Sequence, residues 1–508
     1  MRLLYFSISL IFLFGGFALA QKTENSKIEN IDRILGKLFA DETFNGNVLI
    51  GENGRIIYEK SFGWSNYENK IPLTQATIFP IGSVSKSFTA VAVLKLKEQG
   101  KLRLDDSIVK YFPDLPYKNI TLRQMLSHTS GLPEYQSKAV IDEIEEKSVN
   151  NAELEKVFER LNLKEDFAPG SRWEYSNTNF IFLALVVEKV SNVSYAQFLR
   201  ENIFRPAKMT DTFVLRSGVP EPLKKRIADG YRSTSFVAAS ESNINALRGA
   251  NSYYATVSNL YGAGGIYSTV RDLFKFHEAL QKNKILKKQT LTKMYAAADL
   301  NNREDYAALK NTNYESKYGS GWFIAKDETG GKIVYHPGGV VGYVGYFLRN
   351  LAKNQTVIVL ANNENLKHYT PTALLRILDN QPYKLDKKSL AAALGREYNR
   401  NGFEAAKNKF DELKNNPDYN FRAGEMDALG YQLFLEKKDA SAAITILKMN
   451  AEKFPESFEV WDSLGEIYYK SGNREEAIKN YEKSLQINPD NKNGKQMLEK
   501  IRQDTTKP

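Results

Sequence analysis

A serine and a lysine stand three residues apart at the start of an apolar run that is typical of a buried helix. Ser83 follows a short apolar segment that ends in Gly82, and Lys86 would lie on the same helix face. A serine hydroxyl becomes a nucleophile when a base takes its proton, and burial can make a lysine such a base. A helix N-terminus also presents free N–H groups to a developing oxyanion. The pair predicts acyl transfer; a helix start capped by Ser83 is the alternative.

A second motif, Tyr175-Ser176-Asn177, lies between a Pro-Gly turn and an apolar helix predicted over residues 181–190. Tyr175 can share the serine proton if the charge of Lys86 lowers the tyrosine pKa, and it would then activate the deacylating water. Asn177 can hydrogen-bond the lysine or a substrate amide without carrying charge. These roles predict a proton-transfer group and a polar binding group, with a capped turn as the alternative for both residues.

A histidine lies near the end of another predicted helix, over residues 121–131. Thr121 has the position of an N-cap and Gly131 that of a helix stop. His128 near its end is a candidate base, but it is not next to the predicted nucleophile, Ser83, in the sequence. We therefore favour a structural histidine that holds the loop over a catalytic one.

The elements that must position these groups follow from apolar spacing. Residues 27–40 have helical spacing, and Asn53-Gly54 separates two strand signals as a hairpin turn. Charges alternate at helical spacing over residues 141–163, which predicts a solvated helix. Strand signals return over residues 332–361, so the sequence predicts one sheet built from both ends of a domain that closes near Tyr383.

A different architecture begins near Ser389. Small residues, aromatic residues and a closing proline recur there at the intervals of a tetratricopeptide repeat, namely Trp461, Leu464, Gly465, Tyr468, Gly472, Ala477, Tyr481 and Pro489. A second copy lies 34 residues upstream, with Phe434 in the place of Tyr468, and a looser copy precedes it. Stacked helical hairpins are expected to bind a peptide, a partner protein or the preceding domain of the same chain rather than to do chemistry. An unrelated helical bundle is the alternative.

The first twenty residues differ from the rest of the chain. Arg2 is followed by an apolar run to Leu13, and Ala18-Leu19-Ala20 precedes Gln21. This order predicts a signal peptide over residues 1–20 and export to the periplasm or beyond, with a retained membrane anchor as the alternative.

Composition limits the remaining function classes. The chain has 508 residues, which predicts two or three domains, and its 42% hydrophobic content is ordinary for a globular protein. It has no cysteine and four histidines, none of them four residues apart, which argues against disulfides, thiolate chemistry and a zinc site. The net charge of +10 is spread along the chain rather than clustered, which argues against nucleic-acid binding. We expect no cofactor and no metal.

Three separated motifs resemble those of the serine β-lactamase and penicillin-binding peptidase superfamily, in particular its class C β-lactamase-like branch of esterases and D-amino-acid peptidases. They are Ser83-Val84-Ser85-Lys86 for the family's Ser-x-x-Lys, Tyr175-Ser176-Asn177 for its Tyr-x-Asn, and His336-Pro337-Gly338 for its Lys-Thr-Gly. The resemblance covers about residues 30–383. It implies an α+β fold, an antiparallel sheet flanked by helices with a helical subdomain. It also implies that the N–H groups of Ser83 and Gly339 hold the oxyanion, with Asn177, His336, Gly338 and Gly339 binding substrate.

The chain departs from the family at His336. A lysine there offers a permanent cation to a substrate carboxylate, whereas a histidine is largely neutral at pH 7 and acts mainly as a hydrogen-bond donor. We therefore expect weaker carboxylate recognition, which favours esterase or aminopeptidase-like specificity over strong β-lactamase action. The sequence offers no physical account of Pro337.

Together these features predict a signal peptide (1–20), a hydrolase domain (21–383), a linker (384–388) and an all-α tetratricopeptide-like solenoid (389–505). The predicted function is an exported serine hydrolase that cleaves an ester or amide, such as a D-amino-acid peptide, a small ester or a β-lactam, through a Ser83 acyl-enzyme. The alternative is a catalytically weak platform whose repeats bind a partner protein. Labelling of Ser83 by a fluorophosphonate would separate the two.

Overall fold

The computed structural model describes residues 26–144, 149–233, 235–238, 242–244, 259–301, 305–310 and 312–504. The predicted signal peptide lies outside the described residues. The chain divides into two compact units, one of Met1–Arg232 with Asn243–Leu385 and the other of Ser233–Ser242 with Asp386–Pro508. Within the described ranges, no helix is both long enough and apolar enough to cross a membrane.

The first unit is built on a seven-stranded sheet. The strands of this unit are β1 (Gly46–Glu52), β2 (Arg55–Phe62), β3 (Trp64–Asn66), β4 (Ile71–Pro72), β5 (Phe79–Pro80), β6 (Phe213–Val214), β7 (Tyr231–Arg232), β8 (Ser242–Asn243, at the unit boundary), β9 (Ile266–Ser268), β10 (Lys317–Tyr318), β11 (Phe323–Lys326), β12 (Lys332–Val340), β13 (Tyr343–Asn350) and β14 (Gln355–Ala361). The large sheet has the order β10-β11-β12-β13-β14-β1-β2 with antiparallel neighbours.

The register of β1 shows how the two ends of the first unit meet. Gly46 pairs with Phe62 of β2 on one side and with Ala361 of β14 on the other. This confirms the prediction of one sheet built from both ends of the domain. Asn53 and Gly54 join β1 to β2 with φ angles of 50° and 79°, the left-handed pair that a tight hairpin turn requires.

The described part of the first unit also contains α-helices, some of which lie on the two faces of this sheet while others pack against one another. They are α1 (residues 26–40), α2 (Ser85–Glu98), α3 (Leu122–Leu126), α4 (Lys138–Ile144), α5 (Asn151–Leu161), α6 (Asn177–Ser191), α7 (Tyr195–Leu199), α8 (Glu221–Lys224), α9 (Val270–Gln281), α10 (Lys288–Met294) and α11 (Tyr369–Leu378). Val48 and Ile50 join the apolar cluster of α1 and α11, while Leu49 joins that of α2, α6 and α9. Alternate residues of one strand thus enter two cores, which holds α2 against one face of the sheet.

Two sequence-based boundaries are wrong. The segment 141–163 does not form a single helix, because Asn150 is an extended N-cap that starts α5 anew. One face of α5 is also buried, through Leu154 and Phe158, so the helix is not fully solvated. Thr121 does cap α3 through a capping box, but this helix ends at Leu126, before Gly131.

The second unit contains a series of helical hairpins. Its helices are α12 (Leu390–Asn401), α13 (Phe403–Leu413), α14 (Ala423–Leu435), α15 (Ala440–Lys453), α16 (Phe458–Lys470), α17 (Arg474–Ile487) and α18 (Lys492–Asp504). Asp439 and Asn473 cap the second helices of two successive hairpins through their side chains. Gly465 lies where α16 packs against the ring of Tyr481. A Cβ atom on Gly465 would lie 3.2 Å from this ring, which explains the small residue at this repeat position. The helical repeat architecture predicted from the sequence is confirmed.

Candidate active site

Ser83 lies in a 3₁₀ turn, Gly82–Val84, that leads directly into the buried helix α2. Gly82 has a φ angle of +53°, and a Cβ atom there would lie 2.7 Å from the backbone nitrogen of Gly339. Only glycine suits both the left-handed conformation and this close approach. Val84 is the N-cap of α2 and no side chain caps this helix, so the alternative role of Ser83 as a helix cap is wrong.

Lys86 is the base nearest to Ser83. Its Nζ lies 3.0 Å from Ser83 Oγ, 2.8 Å from Asn177 Oδ1 and 2.9 Å from the carbonyl oxygen of Ala263. The side chain is fully buried, and loss of solvent lowers the pKa of Lys86 to about 7, against the opposing effect of the Glu134 charge. Near neutral pH a large fraction of Lys86 is therefore uncharged and able to accept the proton of Ser83.

Tyr175 is buried beside both groups. Its phenol hydrogen-bonds Ser83, and Lys86 Nζ lies 4.8 Å from the centre of its ring. Burial nevertheless raises the pKa of Tyr175 well above 10, so the expectation that the lysine charge lowers this pKa is wrong. Tyr175 is a neutral phenol in this site, which suits a proton donor or relay and leaves Lys86 as the primary base.

Asn177 occupies the first turn of α6, and its amide orientation is fixed by Glu134. The backbone N–H of Asn177 donates to Glu134 Oε2 at 2.6 Å, and Asn177 Nδ2 donates to Glu134 Oε1 at 3.2 Å. The amide oxygen must then point towards Lys86. The Glu134 carboxylate also takes the place of an N-cap side chain, since Ser176 forms no side-chain cap for α6.

Glu134 was not predicted as a site residue. It lies 43 residues before Asn177 in the chain, in a loop without a spacing signal, and burial raises the pKa of its carboxyl group. A carboxylate directly after the Gly-Leu-Pro stretch that follows His128 was the one available hint. Ala263 accepts a hydrogen bond from Lys86 through its backbone carbonyl oxygen. Every residue has such a group, so the residue type could not have predicted this contact.

His128 is fully buried beneath the site with a φ angle of +60°. Its Nδ1 accepts a hydrogen bond from the backbone N–H of Ser176 at 3.1 Å. Burial, followed by the charge of Lys86, lowers the pKa of His128 well below 6.5, so the ring is neutral. The structure places it as a support for the Tyr175-Ser176-Asn177 turn, in agreement with the structural role favoured from the sequence.

His336 lies in β12, and both of its ring nitrogens bind groups of the protein. Tyr318 OH lies 2.9 Å from Nε2, and the carbonyl oxygen of Pro337 lies 2.6 Å from Nδ1. A carbonyl oxygen can only accept a hydrogen bond, so the ring proton resides on Nδ1, and the phenol of Tyr318 donates to Nε2. The expectation that His336 acts as a donor to substrate is therefore wrong for the described geometry.

The charge state of His336 follows from the same surroundings. Burial is the main cause that lowers its pKa to about 3, and the Lys86 charge adds to it. His336 thus stays neutral at any pH near neutrality. The residue type already replaces the permanent cation of a lysine with a titratable ring. Burial in the fold then keeps this ring neutral.

Gly338 and Gly339 bring β12 against the Ser83 turn. A Cβ atom on Gly338 would lie 2.1 Å from the carbonyl oxygen of Ile81 and 3.2 Å from the backbone nitrogen of Ser83. A Cβ atom on Gly339 would meet no atom within 4 Å, so this residue faces open space. The backbone nitrogen of Gly339 thus lies against the turn that carries Ser83. That the N–H groups of both residues hold the oxyanion stays a prediction.

Pro337 can be explained by the edge of the sheet. Strand β11 pairs with β12 only as far as Tyr335, opposite Phe323, whereas β13 continues to pair up to Val340. From His336 onwards none of the described strands pairs with that edge of β12, and a proline is tolerated at such an edge because no ladder hydrogen bond is lost.

A pocket of about 540 Å³ opens beside Ser83 and Tyr175. Its remaining wall is mainly apolar and includes Phe323, Val340, Tyr343 and Leu366, with Glu364, Lys367 and His368 at one side. No group of three or more acidic or histidine side chains placed to hold a metal ion occurs in the part of the chain that the structure describes. The geometry supplies a nucleophile, a base, a phenol and a mostly apolar acyl or leaving-group pocket.

The chain is similar to known proteins in both of its parts. The profile of the beta-lactamase family matches residues 31–381, and that of the tetratricopeptide repeat matches residues 458–491. Penicillin-binding protein 4* of Bacillus subtilis is 31% identical over 372 residues, which cover 72% of this chain and 79% of the relative. An octameric penicillin-binding protein homologue from Pyrococcus abyssi superposes with a TM-score of 0.57 at 26% identity, over 70% of this chain and 78% of that chain.

A third protein is similar in fold alone. The D-amino acid amidase of Ochrobactrum anthropi, in complex with D-phenylalanine, is 22% identical and superposes with a TM-score of 0.56. The alignment covers 76% of this chain and 99% of the amidase. Such low identity carries no information about the substrate of this chain.

Proposed function

Because the chain belongs to the beta-lactamase family of serine hydrolases, we propose that it cleaves small esters or D-amino-acid amides through a Ser83 acyl-enzyme after export. The observation that carries this proposal is the 3.0 Å contact between Ser83 Oγ and the buried, partly neutral Lys86. The proposal of export depends on the sequence of residues 1–20.

Acylation begins with neutral Lys86. Its Nζ lone pair takes the proton of Ser83 Oγ while this oxygen forms a bond to the substrate carbonyl carbon. The carbonyl oxygen becomes an oxyanion that the N–H groups of Ser83 and Gly339 stabilise. When the tetrahedral intermediate collapses, the leaving alcohol or amine takes a proton from the Tyr175 phenol, and the Lys86 ammonium returns one to Tyr175.

Deacylation reverses the roles. A water molecule takes the place of the leaving group and gives its proton through Tyr175 to Lys86 as it attacks the acyl carbon. The second tetrahedral intermediate expels Ser83 Oγ, which recovers its proton from Lys86. The network of Glu134 and Asn177 holds the Lys86 ammonium in place during each half-reaction, since Asn177 Oδ1 accepts its hydrogen bond.

The pocket favours neutral acyl donors. His336 offers no positive charge to a substrate carboxylate, because its ring is neutral and both nitrogens are bound within the protein. The wall near Ser83 is largely apolar. Penicillins carry such a carboxylate, so we propose that they acylate Ser83 slowly, although a relative carries the name of a penicillin-binding protein.

Time-resolved intact mass spectrometry tests this proposal. The mature protein is mixed separately with a neutral nitrophenyl ester, a D-amino-acid amide and benzylpenicillin, and adducts are mapped by proteolysis. We expect rapid turnover of the ester or the amide and slow formation of a penicilloyl adduct on Ser83. Rapid loss of penicillin without a lasting adduct would show a β-lactamase and contradict the role given to His336. Absence of any acylation by the three compounds would contradict the proposed function.

A further inference from the structure

A short segment from the middle of the chain belongs to the repeat unit. Residues Ser233–Ser242 group with Asp386–Pro508, although they lie more than 140 residues before the first repeat helix in the sequence. Within this unit Val237 is 1% exposed and belongs to the same apolar cluster as Leu390 and Leu394 of α12 and Leu433 of α14. Val237 is therefore part of the core of the repeats.

The backbone of the segment is bound by side chains of two repeat helices. The N–H of Phe236 donates to Gln432 Oε1 of α14 at 2.7 Å. Asn399 Nδ2 of α12 donates to the carbonyl oxygen of Ala238 at 2.9 Å. Two amide side chains thus bind the two ends of a three-residue stretch, in the way that a peptide-binding surface holds the main chain of its ligand.

The surface of α12 beneath residues 235–238 has a glycine where the backbone of the segment comes closest. Gly395 lies in the interior of α12, where glycine is unfavourable for a helix. A Cβ atom there would lie 2.1 Å from the carbonyl oxygen of Phe236, so even alanine would collide with the segment. By contrast, a Cβ atom on Gly424 of α14 would meet nothing within 4 Å.

Residues 235–238 of this segment form a turn without a charged side chain. Ser235 organises it through its hydroxyl oxygen, which accepts from the N–H of Val237 at 3.2 Å, and its carbonyl oxygen, which accepts from Ala238 N–H at 3.3 Å. The two large side chains it offers are Phe236 and Val237. The surface therefore fits a turn with two consecutive apolar side chains and no charge, and it makes few demands on the remaining residues.

We propose that this face of α12 and α14 is a peptide-binding surface and that residues 235–238 fill it as a ligand in cis. The partner it fits is a neutral peptide turn with an apolar pair of the Phe-Val type. A segment tethered in the same chain has an effective concentration on the order of millimolar. An external peptide must displace it, and the resting protein is expected to bind such a peptide weakly.

The experiment uses the full chain and a fluorescent peptide that copies residues 233–240. In the variant Val237→Asp the tethered segment is expected to leave the surface, and the peptide should bind at least tenfold more tightly than to the unaltered protein. Adding Gly395→Ala should abolish this binding, whereas Gly424→Ala should leave it unchanged. Equal binding of the peptide to the unaltered protein and to Val237→Asp, or binding to neither of them, would overturn the proposal.

A second measurement covers the case in which Val237→Asp disturbs folding. In the otherwise unaltered chain, Gly395→Ala is expected to accelerate amide hydrogen exchange in residues 235–238, and Gly424→Ala is not. Unchanged exchange in Gly395→Ala would mean that the segment is not seated on α12, which would also overturn the proposal. Neither measurement depends on hydrolysis, so the outcome is independent of the proposed enzymatic function.

Discussion

Lys86 and Glu134 are two buried groups of opposite charge that are joined through the amide of Asn177. Lys86 Nζ donates to Asn177 Oδ1 at 2.8 Å, and Asn177 Nδ2 donates to Glu134 Oε1 at 3.2 Å. The amide transmits orientation from the carboxylate to the lysine. The Glu134 charge raises the pKa of Lys86, but burial is the larger effect, and the pKa is still lowered to about 7.

Removal of the nucleophile should abolish acylation. We expect Ser83→Ala to lose labelling by a fluorophosphonate and to lower kcat/KM for an ester by roughly 10³-fold or more, because the variant lacks the hydroxyl that lies 3.0 Å from Lys86 Nζ. Ser87→Ala is the control, since Ser87 lies on the same helix and its hydroxyl contacts the carbonyl of Gly321 at 3.4 Å. Intact mass spectrometry after labelling measures the yield of the adduct. An undiminished yield in Ser83→Ala would contradict the assignment of Ser83 as the nucleophile.

Activity should depend on the protonation of Lys86. Its neutral form is the base, so kcat/KM for a neutral ester should increase as the pH rises through about 7 and then level off. Initial rates between pH 5 and pH 9 measure this profile. A rate that is independent of pH over that interval, or that first rises near the ordinary lysine pKa, would show that Lys86 is not the base.

The charge of Glu134 should tune that profile. Its negative charge raises the pKa of Lys86 against the effect of burial. In Glu134→Gln the apparent pKa should therefore decrease, by roughly one unit, and kcat should decrease because the Asn177 amide is no longer held in one orientation. Glu174→Gln is the matched control, because Glu174 is half exposed and pairs with Arg172. A lower kcat with an unchanged profile would indicate a merely structural role for Glu134.

The close approach of β12 to the Ser83 turn can be tested with one methyl group. Gly82→Ala should lower stability and ester turnover, because the new Cβ would lie 2.7 Å from the nitrogen of Gly339. Gly100→Ala separates this clash from backbone strain, since Gly100 has a φ of +71° but open space around it. The control should lose about 1–2 kcal/mol of unfolding free energy at most, with unchanged kcat/KM. Equal losses in the two variants would contradict the steric explanation.

His336 should make the stability of the hydrolase unit depend on acidity. Its pKa in the folded protein is about 3, below the ordinary value of 6.5. Between these values the unfolded state binds a proton that the folded state does not, so this contribution is complete above pH 6.5 and is lost as the pH falls towards 3. We expect the Tm of His336→Gln to decrease less on acidification than that of the unaltered protein.

His368→Gln is the control for this experiment. His368 is half-buried at the side of the pocket and contacts Tyr346 OH at 2.6 Å. Thermal unfolding followed by circular dichroism at several pH values between 4 and 7 measures the change. An acid sensitivity that is the same in His336→Gln and in the unaltered protein would contradict the account of His336.

Local signals in the sequence determined much of the architecture. A spacing of three residues places Ser83 and Lys86 side by side because a helical turn brings such residues together. The Asn53-Gly54 pair specifies its hairpin through two left-handed residues, and the repeat intervals specify helical hairpins from Ser389 onwards. Each of these features depends on residues that are close together in the chain, so it can be predicted from the sequence.

The properties that govern the chemistry were decided by tertiary structure. Glu134, Ala263 and Tyr318 reach Lys86 and His336 from distant segments, and contacts over such separations leave no spacing pattern. The pKa values of Lys86 and Tyr175 depend on burial, which is the sum of all packing around them. The sequence alone thus determined which groups are present, whereas the packed fold decided which of them carry charge, since desolvation exists only once the chain has folded.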